Sequence, residues 1–384
     1  MEIYLDNSAT TRCDAEVTDL IVKLLTEDYG NPSSLHRKGI EAENHVKKAA
    51  SRIAKTLHCK EKEIIFTSGG TESNNLALIG TARANQRKGK HIITTAIEHP
   101  SVRNACEHLK EEGFRVTYIQ PDTSGTVAPE AVAAAVCEDT ILVSVMLVNN
   151  EMGALEPVAD IAAAVKGRNP EVLMHVDAIQ AYGKIRIHPK QMGIDLLSVS
   201  GHKIHGPKGI GFLYVKEGTK IRPICYGGGQ QKGMRSGTLN VPGIAGMGLA
   251  AELSYRNLEE KIRAMYALRS DFMEQMKEIP DVVLNSPEGT DCAPQIVNIS
   301  FPGVRSEVML HALEDRGIYV SSGSACASNH PGEGSTLMKL GKPKEITDSA
   351  LRFSFSFSTS REELDRTVQA IRELAPVLRK FIRR

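Results

Sequence analysis

The sequence predicts an α/β protein, a large domain built on a mostly parallel central sheet with a smaller α+β domain beside it. Three observations carry that expectation. From about residue 60 to 215, near-continuous apolar runs alternate with helical stretches, the pattern of strands covered on both faces by crossover helices. A glycine-rich stretch, Gly227-Gly228-Gly229 to Gly237, closes this region. After it the apolar runs become shorter.

In order, strands are predicted at 63–67, 91–95, 115–119, 141–146, 173–176, 196–200 and 211–215, with helices near 72–87, 100–112, 129–136 and 157–168. An amphipathic helix over about 241–279 reads as a connector. Strands at 282–284, 296–300 and 351–355 and helices near 306–316 and 360–382 make up the smaller domain. The expected division is 15–255 for the large domain, and 1–14 with 256–384 for the small one. No repeat or low-complexity tract is evident.

Composition narrows the function class. Lys+Arg at 47 against Asp+Glu at 46 leaves almost no net charge, so no nucleic-acid partner is expected. No run approaches 18 apolar residues, so no membrane span is expected. Residues 1–11 lack the basic-then-apolar pattern of a secretory leader. The seven cysteines are odd in number, widely spaced and without a CxxC pair. That argues against a disulfide framework or a structural zinc site, and for a reducing, cytoplasmic setting.

In a parallel sheet, ligands bind beyond the carboxyl ends of the strands, so the residues just after each strand are the ones that matter. The first strand runs into Ser68-Gly69-Gly70-Thr71-Glu72 and a helix. Small residues and a hydroxyl at a helix start expose backbone amides and aim the helix dipole at an anion, a natural phosphate cradle. The plain alternative is a glycine turn with Thr71 as N-cap. Asp177 ends another strand, with Gln180 three residues on; it is a turn residue or a site residue. Ser200-Gly201-His202-Lys203 follows a third strand. Lys203 there, beside small residues that allow close approach, could form a Schiff base, and Ser200 and His202 could share the phosphate with Thr71. Lys208 and Lys216 read as solvated surface charges.

These segments, together with Tyr4-Leu5-Asp6-Asn7-Ser8-Ala9-Thr10-Thr11, Gly30-Asn31-Pro32-Ser33-Ser34-Leu35-His36, Glu98-His99, Asn149-Asn150-Glu151 and Arg235-Ser236-Gly237-Thr238, resemble the cysteine desulfurases. Those belong to the class V aminotransferase branch of fold type I pyridoxal 5'-phosphate (PLP) enzymes. The resemblance runs nearly end to end. It implies the PLP-dependent transferase fold type I, with L-cysteine as substrate and L-alanine as product. Lys203 would hold PLP, Asp177 would pair with the pyridine nitrogen, and His99 would stack on the ring and help move protons. Asn150 and Gln180 would contact the substrate side and the ring hydroxyl. Gly70, Thr71, Ser200 and His202 would bind the phosphate. Thr238 would reach the phosphate of a neighbouring subunit, which implies a homodimer. Arg352 would clamp the substrate carboxylate through its planar fork, aided by Asn31 and Asn150; without the resemblance, Arg352 reads as a surface strand arginine.

Ser321-Ser322-Gly323-Ser324-Ala325-Cys326-Ala327-Ser328 resembles the group I (NifS/IscS-type) desulfurases. Cys326 sits in a serine- and glycine-rich run, too polar to pack as core, and is expected on a mobile, exposed loop. It would attack the substrate sulfur as a thiolate, hold it as a persulfide and pass it to an acceptor such as an iron–sulfur scaffold or thiolation enzyme. The other six cysteines read as small buried hydrophobes. No intrinsic metal site is expected, only a transient iron–sulfur contact at Cys326 with a scaffold partner. Gly70 stands where the family more often has alanine.

Overall fold

The computed structural model describes residues 2–322 and 334–381, so Cys326 lies outside the described residues. The chain opens with strand β1 (Ile3–Tyr4) and helices α1 (Ala15–Thr26) and α2 (Arg37–Leu57). It continues through β2 (Ile64–Thr67), α3 (Gly70–Asn85), β3 (His91–Thr95), α4 (Pro100–Glu111), β4 (Arg115–Ile119), α5 (Pro129–Ala134), β5 (Thr140–Met146), α6 (Val158–Arg168), β6 (Leu173–Asp177), β7 (Leu196–Ser200) and β8 (Gly211–Val215). Strands β2 to β8 form one seven-stranded sheet in the order β2-β8-β7-β6-β5-β3-β4.

Strands β3 to β7 run parallel to one another, while β8 is antiparallel to both β2 and β7. The segment 201–210 explains the exception, because it is too short for a helical crossover and can only return the chain in the opposite sense. Alternate side chains serve the two faces. Phe66, Val143, Val145, Val176 and Val199 join a core with α6 and the later helix α7 (Val241–Tyr255), whereas Ile65, Leu142, Leu196 and Leu213 pack with α3 and α4.

The expected strands match closely, but α1 and α2 are additional. The buried face of α2 is mostly Gly39, Ala42, Ala49 and Ala54 among many charges, which gives a weak apolar signal in the sequence. The small residues let α7 (Val241–Tyr255) come close: a Cβ on Gly248 would lie 2.6 Å from the Ala49 Cα. The expected helix over 241–279 is two helices, α7 and α8 (Leu258–Lys277). Asn257 turns the chain between them with a left-handed φ of 55°, a conformation that asparagine tolerates better than most residues.

A second, antiparallel sheet has the order β12-β13-β10-β9, from β9 (Val283–Leu284), β10 (Ile296–Ser300), β12 (Ser321–Ser322) and β13 (Ala350–Ser354). Its own core joins Val297, Ile299, Leu351 and Phe353 to Phe272 and Met276 of α8, Met309 of α9 (Ser306–Glu314), and Leu364 and Ile371 of the helix Arg361–Arg379. Removing a ring such as Phe353 or Phe272 would cost about 3–5 kcal/mol. β1 pairs in parallel with β11 (Ile318–Tyr319), and Ile3 and Leu5 join this core. Residues after β1 then cross toward the carboxyl edge of the large sheet, where Thr11 donates its amide to the His202 carbonyl at 2.8 Å.

Candidate active site

Strand register brings the candidate residues to one edge. Met146 pairs with Asp177, Asp177 with Ser198, and Gly211 with both Ser200 and Thr67. The carboxyl ends of β2, β5, β6 and β7 therefore lie level. Asp177 is buried at the tip of β6. Its Oδ2 accepts from Asn74 Nδ2 at 2.8 Å and its Oδ1 from the Ile179 amide at 2.9 Å. Burial pushes this carboxyl up, against the pull of those donors and of nearby His99 and Lys203.

The same Asn74 Nδ2 donates to Ser101 Oγ at 2.9 Å, and Ser101 Oγ lies 2.8 Å from His99 Nδ1. His99 is the N-cap of α4, and the Ser101 amide donates to its Nδ1 at 3.1 Å. An amide aimed at Nδ1 requires a lone pair there, so the neutral ring carries its proton on Nε2. One continuous polar chain thus runs from Asp177 through Asn74 and Ser101 to His99.

Lys203 lies in the turn after β7. Its Nζ donates to the carbonyls of Ser8 and Ala9, the second at 2.7 Å. Gln180 Nε2 donates to the same Ser8 carbonyl at 2.9 Å, and its buried Oε1 has no partner. His202 Nδ1 lies 3.2 Å from Thr10 Oγ1. Burial and the adjacent Lys203, Lys208 and Lys184 charges push this ring down to about 4, so His202 is uncharged at neutral pH and acts through a hydrogen bond. Lys184 is buried with Nζ unpartnered, and burial reinforced by Lys203 pushes it down to about 7.

Gly69 precedes α3 with φ of 151°, a glycine conformation. β8 closes beneath it, since a Cβ on Gly211 would lie 2.7 Å from the Gly69 Cα. The first turn of α3, with Gly70 and exposed Thr71, offers the amides a helix leaves unpaired. Ser200 lies buried opposite, at the end of β7. A methyl group on Gly70 would lie only 2.2 Å from Ile179 Cδ1. Glycine at 70 and isoleucine at 179 therefore fit each other.

Arg352 of β13 lies opposite Ser321 of β12. Its Nη1 donates to the Asn150 carbonyl at 2.8 Å, its Nη2 to Asp6 Oδ1 at 2.9 Å, and its buried Nε has no hydrogen-bond partner among the described residues. A cavity of about 110 Å³ is lined by His99, Asn150, Ser321, Ser322, Ser335 and Arg352, among others. Thr238 is exposed in the segment after Arg235, which is held by Glu72 at 2.8 Å. Asn31 is exposed on the loop between α1 and α2, where its Oδ1 accepts from the Ser33 amide at 3.0 Å. No hydrogen bond among the described residues joins it to the other candidates.

The aminotransferase class V profile matches residues 3–367. A curated cysteine desulfurase, IscS, of Methanosarcina thermophila is 41% identical over 99% of this chain and 93% of its own length. A solved NifS-like protein superposes with a TM-score of 0.93 at 39% identity, covering 98% of this chain and 100% of the other. A structure described as SspA in complex with cysteine gives a TM-score of 0.80 at 33% identity, over 92% and 98% of the two chains. The chain belongs to the cysteine desulfurases of the class V aminotransferase family.

Desulfurases of this family are PLP enzymes, and the donor set here suits such a group. The first-turn amides of α3, the hydroxyls of Thr71 and Ser200 and uncharged His202 are neutral donors of the kind a phosphate accepts from. A buried carboxylate, a buried unpartnered amide oxygen on Gln180 and a lysine amine stand on the same strand edge. Asn74, Ser101, the Ser8 carbonyl and Lys184 were given no role by the sequence reading. Asn74 lies 103 residues from Asp177, and Ser8 lies 195 from Lys203, so only the strand-end positions and the length of the family motifs hinted at them.

Proposed function

We propose that Lys203, Asp177 and His99 form the PLP centre of a desulfurase that moves sulfur from L-cysteine to Cys326 and releases L-alanine. One observation carries this reading: the polar chain from buried Asp177 to His99 at the strand edge beside Lys203. When bound, PLP supplies an electron sink for the substrate. Lys203 holds it covalently, and Gly70, Thr71, Ser200 and His202 hold its phosphate. Asp177, kept in place by Asn74 and the Ile179 amide, keeps the pyridine nitrogen protonated. Gln180 binds the ring hydroxyl. His99 would pack against the ring, and its Nε2 would carry the proton that is moved.

Arg352 takes the substrate carboxylate, with its fork held by Asp6 and the Asn150 carbonyl, and Asn31 and Asn150 complete that side. The Cys326 thiolate attacks the substrate sulfur, the Cβ–S bond breaks, and a proton replaces sulfur at Cβ. Cysteine plus thiol becomes alanine plus persulfide, and no outside oxidant or reductant is needed. The residues on either side of 323–333 support this reading. Ser322 and Ser335 line the cavity with Arg352, and four residues from Ser322 to Cys326 span at most about 14 Å. The cysteine-bound SspA relative supports the substrate assignment.

A homodimer is the proposed state, with Thr238 serving the partner's phosphate. Leu25 of α1, Tyr29 and Leu35 of the loop after it and Ile40 of α2 lie exposed, apolar side chains that a second copy would cover. The proposed domain division is 15–255 against 1–14 with 256–384, the proposed setting is the cytoplasm, and the sulfur acceptor is an iron–sulfur scaffold or thiolation protein. No described helix is long and apolar enough to cross a membrane. Incubation with cysteine, followed by intact mass and alanine measurement, tests the reading. One added sulfur that vanishes in Cys326→Ser, with alanine lost, is expected; undiminished alanine from that variant would defeat it.

A further inference from the structure

A second cluster of reactive side chains lies at the opposite, amino end of the large sheet, where β3 starts with His91, β4 with Arg115 and β5 with Thr140. There the His91 Nδ1, Cys137 Sγ and an Asp139 carboxylate oxygen all lie within 4.8 Å of one another. Cys137 Sγ is 3.1 Å from His91 Nδ1 and 3.0 Å from Asp139 Oδ1. Imidazole, thiolate and carboxylate are the ligand set of zinc and related thiophilic ions. None of the three belongs to the sequence motifs or takes part in the proposed reaction.

Three details go beyond proximity. His91 is fully buried, and its Nε2 lies 2.8 Å from Thr117 Oγ1. Thr140 Oγ1 accepts the Cys137 amide at 2.8 Å and lies 2.7 Å from His91 Nδ1; with the ring proton on Nε2, the Thr140 hydroxyl donates to the Nδ1 lone pair that an ion would take over. In that tautomer Nε2–H is donated to Thr117, the outer hydrogen bond that orients a ligating histidine. Cys137 Sγ also lies 3.2 Å from Thr140 Oγ1, which holds the sulfur beside the imidazole. Finally, the Arg115 guanidinium reaches both Cys137 Sγ at 3.1 Å and Asp139 Oδ1 at 2.9 Å. A cation already stands against two of the three donors, on a side chain that is 55% exposed and can swing into solvent at little cost.

We propose that His91, Cys137 and Asp139 form a site for a thiophilic divalent cation of the zinc class, with Arg115 as the group it displaces. Binding makes bonds from the ion to Nδ1, Sγ and Oδ1 and breaks the S–H bond, and the thiol proton leaves to solvent. No electron is exchanged. Water completes the coordination on the exposed side, the arrangement of a three-ligand zinc site. The ion would tie the start of β3 to the segment before β5, and so act as a staple remote from Lys203.

The test uses the full-length, cofactor-loaded protein, stripped of metal and titrated with Co²⁺ and then Zn²⁺. The expected result is one equivalent of Co²⁺ with a thiolate-to-cobalt charge-transfer band, displaced by Zn²⁺, with one proton released per ion and a higher melting midpoint. Cys137→Ser and Asp139→Asn should weaken binding by about 100-fold or more, and Thr117→Val by about tenfold. Arg115→Gln should tighten it roughly fivefold, by removing the competing charge. Cys326→Ser should retain the band. Equal binding by wild type and Cys137→Ser, a band lost only in Cys326→Ser, or weaker binding by Arg115→Gln would each overturn the proposal.

Discussion

Asp177 and Asp195 are both buried carboxylates on adjoining strands of one sheet, at opposite ends. Asp195, just before β7, has Lys166 at 2.8 Å and Lys216 at 3.1 Å, and it accepts the Met174 amide at 3.0 Å. Its charge is matched and its lone pairs are used. Asp177 has neutral donors in direct contact, charges only nearby, and a carboxyl pushed up by burial. Around it stand other groups left incomplete, including Gln180 Oε1, Glu98 Oε2 and Lys184 Nζ. Glu98 is pushed up to about 8, chiefly by burial. Buried polar groups cost stability unless paired. The amino end of these strands is built to hold the sheet together, and the carboxyl end keeps unpaired capacity for molecules it binds.

The sharpest way to break this contrast is to exchange the two acids separately. Asp177→Asn is expected to lower alanine production about a hundred- to a thousandfold with an almost unchanged denaturation midpoint. Asp195→Ala should do the reverse. It loses about 3 kcal/mol, because two part-exposed lysines are left beside a buried gap, and the folded fraction keeps its rate. Paired urea melts and steady-state alanine assays measure both, and a stability loss from Asp177→Asn matching that of Asp195→Ala would erase the distinction.

Lys184 sharpens the same point through pH. Its folded value of about 7 lies below the usual 10.5, so between those values the unfolded chain binds more protons and stability rises with pH. Below pH 7 both states are charged, and the cost is fully present. Lys184→Met is expected to flatten that rise and to add a few kcal/mol (~3) at neutral pH. Denaturant melts from pH 7 to 10 check this; an unchanged slope would mean that water reaches the amine.

The smallest expected effect concerns the fit between Gly70 and Ile179. Gly70→Ala alone should cost about 1–3 kcal/mol through overpacking, while adding Ile179→Ala should recover much of it. A double-mutant cycle on melting midpoints reads the coupling, and strictly additive effects would show that the two side chains relax independently.

Much of this was legible before any coordinates. Strands of a covered sheet are rich in apolar and β-branched residues, so buried β3 and β7, and the part-exposed edge strand β4, fall where the alternation placed them. The glycine turn, Asp177 and Lys203 stood out because they follow such strands. What was missed had no local mark: α2 buries mainly alanine and glycine, and Asn257 breaks a helix without glycine or proline.

By itself the sequence determined the family, the strand pattern and the identity of most candidate groups, because those rest on local periodicity and ordered motifs. Only the tertiary structure decided which carboxylate would be paired, which lysine stripped of water, and that His91 would meet a cysteine 46 residues away. Pairing, desolvation and ligand geometry are set by atoms brought together from distant parts of the chain, and spacing along the chain does not encode their distances.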